Sequence, residues 1–300
     1  MEPVRSLGAG VPTAVAPPRG RLPILLEAIK FEHTIFALPF AYLGMVLAAR
    51  GWPGWWPFIW ITIAMVAART LAMSANRVID RQLDAANPRT AQRALPRGLL
   101  SSAELIALAA AALAVFAFAA AQLNDLVLKL VPVAAIVVVG YSYTKRFTWW
   151  THFILGFADG MAPVGAWLAV TGRLDWGAFL LGLAVTTWIA GFDLIYACQD
   201  VDFDRRNRLY SIPAHFGLAT GLGVARLAHV ATAGLLLAVG FVAGLGSAYF
   251  VGWLLAVSLL VYEHRLVSPR DLSRLNVAFF NVNGYLAVIV LAFAVLGLYL

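Results

Sequence analysis

The sequence predicts an all-α, polytopic membrane protein. Hydrophobic residues make up 62% of the 300 residues, charged residues make up 12%, and the mean hydropathy is +0.82. Soluble domains are about half apolar, so this composition excludes an ordinary soluble protein. The chain divides into nine apolar segments, each long enough to cross about 30 Å of hydrocarbon as a helix. The nine transmembrane helices are predicted at 23–49, 55–82, 101–122, 126–144, 151–171, 176–199, 218–243, 247–266 and 276–299.

The N-terminal end lacks the pattern of a membrane-spanning helix. Residues 1–20 are rich in Gly, Pro and Ala and are predicted to form a flexible cytoplasmic tail, whereas residues 21–300 form a single transmembrane domain. The first apolar segment is too long for a signal peptide and lacks a cleavage site. The lone Cys198 excludes an intramolecular disulfide, so cysteine says nothing about the redox compartment.

The basic residues predict the orientation of the helices. If the N-terminus is cytoplasmic, 17 Lys and Arg residues lie on the cytoplasmic side, against only three on the outer side. This positive-inside pattern predicts a multi-pass protein of the cell inner membrane. The same loops account for the net charge of +7, so no nucleic-acid partner is expected. Trp52, Trp55 and Trp56 lie where an outer interfacial aromatic belt is expected.

Two acidic strings with the same spacing are the most informative feature of the chain. Side chains at positions i, i+4 and i+8 share one face of a helix, so each string presents two carboxylates at a membrane surface. Two opposed acidic faces repel unless hard divalent cations, bridging to a diphosphate, lie between them. A single string would be an ordinary solvated helix end, but the repeat argues against that interpretation. The strings are Asn76–Asp80–Asp84 and Tyr196–Asp200–Asp204, and their four aspartates are the predicted metal ligands.

The position of the two strings also indicates a weak internal duplication. They lie on the second and sixth predicted helices, so the first four helices would correspond to the next four, with a ninth helix added. Sequence similarity outside the strings is too low to prove the duplication.

Two further charged residues lie deeper in the predicted spans. Asp193 precedes Tyr196 by three residues, and Arg69 precedes Asn76 by seven, so each shares a face with its string. Ionisable groups in a membrane are expensive and commonly mark a functional cavity. Arg69 and Asp193 could form a structural ion pair, or Arg69 could bind an anionic substrate. Asp193 could alternatively make a structural hydrogen bond to a neighbouring helix.

Other polar residues near the cytoplasmic ends are candidate substrate ligands. Tyr141 and Lys145 belong to the string Tyr-Ser-Tyr-Thr-Lys-Arg, which is either an interfacial anchor or a source of positive charge for a phosphate. Glu32 and His33 are polar residues in an apolar setting and could line a pocket for a second substrate. His33 is equally well explained as a hydrogen-bonding residue packed between helices.

Clustered arginines follow both acidic strings. Arg89 and Arg93 lie in a segment broken by Pro88, Pro96 and Gly98. Arg205 follows the second string in a similar way. The simple interpretation is a positive-inside loop, and the functional interpretation is a basic cap that closes over a diphosphate.

These motifs resemble those of the UbiA superfamily of intramembrane prenyltransferases. The resemblance covers roughly residues 21–300 and depends on the two acidic strings, the string from Tyr141 to Lys145, and Asn87-Pro-Arg-Thr with the following Arg93-Ala-Leu-Pro. It implies nine helices around a central cavity, in which two Mg²⁺ ions bridge the aspartates to a polyprenyl diphosphate. The Tyr at position 196, where the family has Asp or Asn, puts a direct metal contact at that position in doubt.

The resemblance also implies a reaction. The strings Lys30-Phe-Glu-His-Thr-Ile-Phe-Ala-Leu-Pro and Asp159-Gly-Met-Ala-Pro-Val-Gly resemble the 4-hydroxybenzoate polyprenyltransferase branch, and also the similar menaquinone enzymes that prenylate a dihydroxynaphthoate. We therefore expect transfer of a polyprenyl group to a ring carbon of a hydroxylated aromatic acid. The expected partners are a polyprenyl diphosphate, an aromatic acid acceptor and the lipid bilayer. An ion-coupled transporter is the rival class, but its carboxylates would normally lie near the membrane midplane.

The sequence thus assigns each candidate residue a role. The residues expected to act in catalysis are Asp193, Arg69, Lys145, Tyr141 and Tyr196. The residues expected to bind substrate are Asn76, Arg69, Lys145, Arg89, Arg93, Arg205, Glu32 and His33.

Overall fold

The computed structural model of the chain describes residues 20–30 and 34–300. Regular structure in this part of the chain is helical, apart from one short bridge between Ser268 and Asp271. The α-helices are α1 Arg21–Ala28, α2 Thr34–Ala49, α3 Trp55–Ile79, α4 Arg81–Ala86, α5 Ser102–Ala121, α6 Asp125–Thr144, α7 Thr151–Thr171, α8 Trp176–Ala197, α9 Val201–Arg206, α10 Ile212–Phe216, α11 Leu218–Val242, α12 Ser247–Leu266 and α13 Asn283–Gly297.

The all-α membrane prediction is confirmed, but the count of nine spans is not. Among the described residues, seven helices are long and apolar enough to cross a membrane. Six of them are α3, α5, α6, α7, α11 and α12, and the seventh starts with α8 and continues to Arg206. The first and ninth predicted spans correspond to shorter apolar helices, Leu38–Ala49 and Asn283–Gly297. The ninth is shortened because 277–282 form a π-helical turn before α13. Most of the predicted tail, together with Glu32 and His33, lies outside the described residues.

Both acidic strings interrupt their helices at the middle aspartate, which corrects the expectation of one continuous helix through each string. α3 ends before Asp80, whose φ and ψ are −93° and 7°, and α4 begins directly after it. α8 passes into a 3₁₀ turn that ends at Asp200, whose φ and ψ are −98° and 4°, and α9 follows. These angles lie in the bridge region, which is sparsely populated and common at active sites. The two strings therefore share a backbone break as well as their sequence spacing.

The helices around α7 and α8 pack closely because small residues line their contact. A Cβ atom at Gly156 would collide with the carbonyl oxygen of Thr186, and one at Gly160 with the carbonyl oxygen of Gly182. The backbones of α7 and α8 can therefore approach in a way that side chains would prevent. α2, α11, α12 and α13 complete a layer of helices around this pair, with a shared apolar core.

A second group of helices, α3, α5 and α6, packs against α7 and leaves a large cavity facing α8. The short helix α1 lies at one end of this cavity. The Arg77 Nε donates a hydrogen bond of 2.9 Å to the Ala28 carbonyl oxygen, and Arg21 forms a 2.7 Å ion pair with Glu104. These contacts hold α1 against α3 and α5, on the side of the molecule that carries the acidic strings.

A buried polar network ties α8, α11, α12 and α13 together. Glu263 is fully buried and accepts a 3.0 Å hydrogen bond from the Asn283 amide, whose oxygen accepts a 2.8 Å bond from Trp188 Nε1. His229 lies 3.7 Å from Glu263, and its ring occupies the space opposite Gly191. Buried polar groups need such partners, so this network fixes the relative positions of four helices.

Candidate active site

Each of the four string aspartates lies beside its own basic side chain. All four pairs are close enough for direct ion pairing, and Asp84, Asp200 and Asp204 are buried. The pairs are Asp80 with Arg146 at 2.8 Å, Asp84 with Arg93 at 2.6 Å, Asp200 with Arg89 at 2.7 Å, and Asp204 with Lys145 at 2.9 Å.

The four cations come from only two connecting segments, and each segment serves both acidic strings. The connection between α4 and α5 provides Arg93 for the first string and Arg89 for the second. The connection between α6 and α7 provides Arg146 for the first string and Lys145 for the second. The two strings are thus joined through shared loops at one end of the helices. Arg146 was not identified from the sequence, because its neighbour Lys145 explained the same motif.

The two strings obtain their amide donors in different ways. In the first string, the Asn76 side chain donates to Asp80 at 2.8 Å. The second string has Tyr196 at the corresponding position, and the amide that reaches Asp200 comes from Asn87 at 3.2 Å. The hydroxyl of Tyr196 instead accepts a 3.2 Å hydrogen bond from Arg89, the residue that pairs with Asp200. Asn87 therefore provides for Asp200 what Asn76 provides for Asp80.

The surroundings change the proton affinities of Asp80 and Arg89. Burial raises the pKa of Asp80 above its ordinary value, although the hydrogen bond from Arg146 opposes this effect. Burial acts to lower the pKa of Arg89, but the hydrogen bond and charge of Asp200 outweigh it and raise that pKa. Arg89 is therefore a permanent positive charge held between the two strings.

A small polar cavity of about 180 Å³ lies between the strings. Its ionisable lining consists of carboxylates, arginines and a lysine. The charged and amide-bearing residues that line it are Asn76, Asp80, Asp84, Asn87, Arg89, Arg93, Lys145 and Asp200.

The donor set suits a hard divalent cation that shares its ligands with a phosphate. Oxygen atoms from carboxylates and amides are the ligands that Mg²⁺ prefers, commonly one or two carboxylates with substrate phosphates and water. Among the described residues, no group of three or more His, Cys, Asp or Glu side chains surrounds a single point. The carboxylates come in two pairs, so an ion bound at either pair needs further oxygen ligands from a substrate or from water.

A large cavity of about 1200 Å³ adjoins the small one. Asn76, Arg89 and Arg93 line both, so the polar space opens onto the larger one. The lining of the large cavity is mostly apolar and comes from α3, α5, α6, α7 and α8. Tyr141 and Tyr196 line it near the acidic strings, as a catalytic or substrate-contacting role would require.

The deeper polar residues of the large cavity do not pair as one sequence interpretation proposed. The Asp193 Oδ2 lies 2.7 Å from the Nδ1 of His152, and no ion pair shorter than 4 Å joins Asp193 to Arg69. The buried Nε of Arg69 makes no hydrogen bond to any residue that the structure describes. Asp159 lines the same cavity and interacts electrostatically with both Arg69 and Asp193. The structural ion-pair alternative is therefore wrong for Arg69 and Asp193.

Two members of this deep cluster were not identified as site residues from the sequence. Asp159 is a lone acidic residue within an apolar span, and that signal alone could have marked it. His152 gave no signal, because its partner lies 41 positions away on another helix.

Among the predicted substrate ligands that the structure describes, Arg205 lies away from the site. Its Nε donates a 2.7 Å hydrogen bond to the Ala214 carbonyl oxygen, and it lines neither cavity. It braces α9 against α10, because the chain after the second string folds back as a helix instead of forming a cap. The backbone amide of Tyr210 then bonds to the Lys145 carbonyl oxygen at 2.7 Å.

Comparison with known proteins gives consistent matches over most of the chain. The UbiA prenyltransferase family matches residues 37–298. A 4-hydroxybenzoate octaprenyltransferase of Aeromonas salmonicida is 34% identical over 247 residues, which cover 81% of this chain and 84% of the relative. The enzyme of the same name from Nitrosospira multiformis is 32% identical over 241 residues, which cover 80% of this chain and 82% of the relative.

Solved structures show the same fold. The apo structure of a UbiA homolog from Aeropyrum pernix K1 has a TM-score of 0.81 and 33% identity, covering 88% of this chain and 98% of that one. A UbiA homolog from Archaeoglobus fulgidus, bound to DMAPP and Mg²⁺, has a TM-score of 0.67 at 18% identity, covering 89% of this chain and 98% of that one.

Proposed function

The chain belongs to the UbiA prenyltransferase family, and we propose that it transfers a polyprenyl group from a polyprenyl diphosphate to a ring carbon of 4-hydroxybenzoate or a closely similar aromatic acid. The observation that carries the proposal is the junction of the two cavities. A charged space of about 180 Å³ opens onto an apolar space of about 1200 Å³. This arrangement matches a molecule with a diphosphate head and a long hydrocarbon tail. The names of the relatives support the aromatic acid acceptor.

The basic residues of the small cavity bind the diphosphate head. Arg89, Arg93 and Lys145 point into the space between the strings, where they pair with carboxylates. Arg93 approaches both oxygens of Asp84, at 2.6 and 2.7 Å. A metal ion at those oxygens would displace Arg93, and the freed guanidinium could then bind a phosphate oxygen. We infer that substrate loading transfers these cations from the carboxylates to the diphosphate.

The four string aspartates hold the metal. We propose one Mg²⁺ ion at each pair, Asp80 with Asp84 and Asp200 with Asp204. Bound Mg²⁺ neutralises negative charge on the departing diphosphate. The Mg²⁺ seen with DMAPP in the Archaeoglobus fulgidus homolog supports this assignment. Tyr196 is not a proposed metal ligand, since its hydroxyl holds Arg89.

The large cavity holds the prenyl chain and excludes water from the reacting carbon. Phe116, Leu130 and Val133 on α5 and α6 belong to its lining. Leu130 and Val133 have exposed fractions of 38% and 55%. We propose that a long polyprenyl tail leaves the cavity between the helices on this side and enters the lipid. A dry cavity protects a carbocation from capture by water.

The deep polar cluster receives the acceptor. The Arg69 guanidinium, whose buried Nε lacks a hydrogen-bond partner among the described residues, suits a carboxylate as its ligand. Asp193 faces the same cavity and can accept a proton. In the reaction, the C1–O bond of the prenyl diphosphate breaks with its electron pair leaving on diphosphate, and a ring carbon forms the new bond to C1. Asp193 then accepts the proton that the ring must lose.

The acidic strings are proposed to face the cytoplasm of an inner-membrane protein. The connections that carry Arg89, Arg93, Lys145 and Arg146 lie at the same end of the bundle, since they share ion pairs with both strings. A concentration of basic residues at one end favours the cytoplasmic side. Exposed Trp55, at the opposite end of α3, agrees with an outer interface.

The direct test is product formation by the purified protein. It is incubated in lipid nanodiscs with a polyprenyl diphosphate, Mg²⁺ and either 4-hydroxybenzoate or 1,4-dihydroxy-2-naphthoate, and the products are identified by mass spectrometry. We expect a prenylated 4-hydroxybenzoate. A prenylated naphthoate in its place would reassign the acceptor, and the absence of both products would refute the proposal.

The variant Arg69→Ala tests the acceptor site separately. If Arg69 binds the acceptor carboxylate, its loss raises the KM for the aromatic acid about tenfold or more, since a charged hydrogen bond is lost. The KM for the prenyl diphosphate should stay near the wild-type value. A raised prenyl diphosphate KM with an unchanged acceptor KM would assign Arg69 to the other substrate.

A further inference from the structure

His152 and Asp193 form a closely coupled pair at the wall of the large cavity. The Nδ1 of His152 lies 2.7 Å from the Oδ2 of Asp193, and the two residues come from neighbouring helices, α7 and α8. The two side chains differ in access, because the exposed fraction is 3% for His152 and 24% for Asp193. Asp193 lines the cavity, whereas His152 does not. The histidine therefore stands behind the carboxylate, on the side away from a bound substrate.

The second ring nitrogen determines which atom of His152 carries the proton. The Nε2 is buried and makes no hydrogen bond to any described residue. An N–H group there would be an unsatisfied buried donor, which is more costly than an unused lone pair on an imidazole nitrogen. In neutral His152 the proton accordingly lies on Nδ1 and is donated to Asp193. Asp193 then accepts this bond through Oδ2, and its other oxygen is left for the cavity.

We propose that His152 is a positioning residue that holds Asp193 as a hydrogen-bond acceptor aimed at the hydroxyl group of the aromatic acceptor. This inference rests on the proposed function, since it names the group that makes Asp193 effective in prenyl transfer. The acceptor hydroxyl donates a hydrogen bond to the free oxygen of Asp193, and the resulting increase of electron density activates the ring carbon beside that hydroxyl. After the new carbon–carbon bond has formed, the same oxygen accepts the proton that this ring carbon loses. His152 contacts neither substrate, and it acts by restricting the rotamer of Asp193.

The position of the pair supports a role at the acceptor and not at the diphosphate. Asp193 lies two helical turns before Asp200 on α8 and its continuation, so it is deeper in the bundle than the acidic strings. Neither His152 nor Asp193 lines the small polar cavity. Arg69 and Asp159 line the large cavity together with Asp193. Arg69 would bind the carboxylate at the opposite end of the acceptor, and Asp159, which interacts electrostatically with Arg69, would orient it for that purpose.

The experiment compares His152→Asn with His152→Leu. These side chains have nearly the same size, but only the Asn side chain retains an N–H group near the position of Nδ1. We expect His152→Leu to lower kcat about tenfold or more, as for the loss of a group that organises proton transfer, with the prenyl diphosphate KM within about twofold of wild type. His152→Asn should restore kcat to within about threefold of wild type, because the donor is restored. His215→Leu, at a histidine that lines neither cavity, is the matched control and should keep wild-type kinetics.

A double-mutant cycle completes the test. If His152 acts only through Asp193, then adding His152→Leu to Asp193→Asn lowers kcat no further than Asp193→Asn alone. Multiplicative losses would overturn the proposal, as would an unchanged kcat in His152→Leu, or equal losses in folded His152→Leu and His152→Asn. His152→Met replaces the Leu variant if that variant aggregates. A wild-type protein that makes no prenylated product would reject the proposed function itself, an outcome distinct from these.

Discussion

The two acidic strings have the same spacing and the same backbone break, but they are completed by different parts of the chain. Asp80 and Asp200 interrupt their helices with φ and ψ values that agree within 5°. In the first string the amide donor is Asn76, four residues before Asp80. In the second string it is Asn87, which belongs to the loop after the first string. The two copies of the motif therefore keep the same geometry, although the amide donor of the second copy comes from the loop that follows the first.

The difference explains why a tyrosine can occupy the first position of the second string. Tyr196 does not need to reach Asp200, because Asn87 and Arg89 already hydrogen-bond to that carboxylate. Its hydroxyl instead fixes Arg89 from the opposite side. The second string thus depends on the loop of the first, whereas Arg205, in its own following segment, only braces α10. The loop after the first string therefore contacts the carboxylates of both strings.

Loss of any string aspartate is the largest effect that we expect. Asp80→Ala, Asp84→Ala, Asp200→Ala and Asp204→Ala should each lower turnover by about 100-fold or more, because each change removes a ligand of the metal ion that would neutralise the leaving group. The assay is product formation by protein that elutes as a folded species in size-exclusion chromatography. Asp202→Ala is the matched control, since Asp202 lies on α9 together with Asp204 but is exposed. Activity above about a tenth of wild type in any two of the four variants would contradict the model of two metal sites.

Removal of divalent metal should abolish prenyl transfer, because it would empty the proposed metal sites of both strings at once. Mg²⁺ or Mn²⁺ should restore activity after EDTA treatment, and Ca²⁺ should restore it poorly, because Ca²⁺ prefers more ligands at longer distances than two carboxylates and a diphosphate provide. The measurement is initial rate against free metal concentration at a fixed prenyl diphosphate concentration. Full activity in excess EDTA would be inconsistent with the proposed role of the aspartates.

The arginines of the two following segments should differ in their importance. Arg89→Ala should raise the prenyl diphosphate KM and lower kcat/KM by about 10- to 100-fold, because a partly exposed guanidinium that pairs with the buried Asp200 between the strings is lost. Arg205→Ala should leave both constants within about twofold and lower only the Tm, since it removes one hydrogen bond to the Ala214 backbone. Equal kinetic losses in the two variants would show that both segments bind substrate and would remove the asymmetry.

The smallest effect is expected at Asn87, whose side-chain amide donates to Asp200. Asn87→Ala should lower kcat/KM by roughly threefold to tenfold, as expected for one hydrogen bond to a buried carboxylate. The double variant Asn87→Ala with Tyr196→Asn should recover part of this loss, because an amide at position 196 could donate to Asp200 as Asn76 donates to Asp80. Tyr196→Asn alone is the control for the loss of the contact with Arg89. Additive losses in the double variant would mean that the two strings are not equivalent at this position.

The sequence by itself determined the class of fold, the family and the two acidic strings that we propose to bind metal. Membrane helices follow from apolar length, because each span must satisfy its own backbone hydrogen bonds. The strings are visible because i, i+4 and i+8 spacing is local, and their repetition marks them as functional. The breaks at Asp80 and Asp200 were not predicted, since no Pro or Gly stands at either position to signal them.

Contacts between distant segments were decided only by the tertiary structure. The pairing of Asn87 with Asp200, of Arg146 with Asp80 and of His152 with Asp193 joins residues 113, 66 and 41 positions apart. Such pairs depend on how helices pack, which for α7 and α8 is controlled by small residues such as Gly156 and Gly160. Sequence spacing shows which residues share a helix face, but it does not show which face meets which. The partner of each buried charge is consequently a property of the assembled bundle.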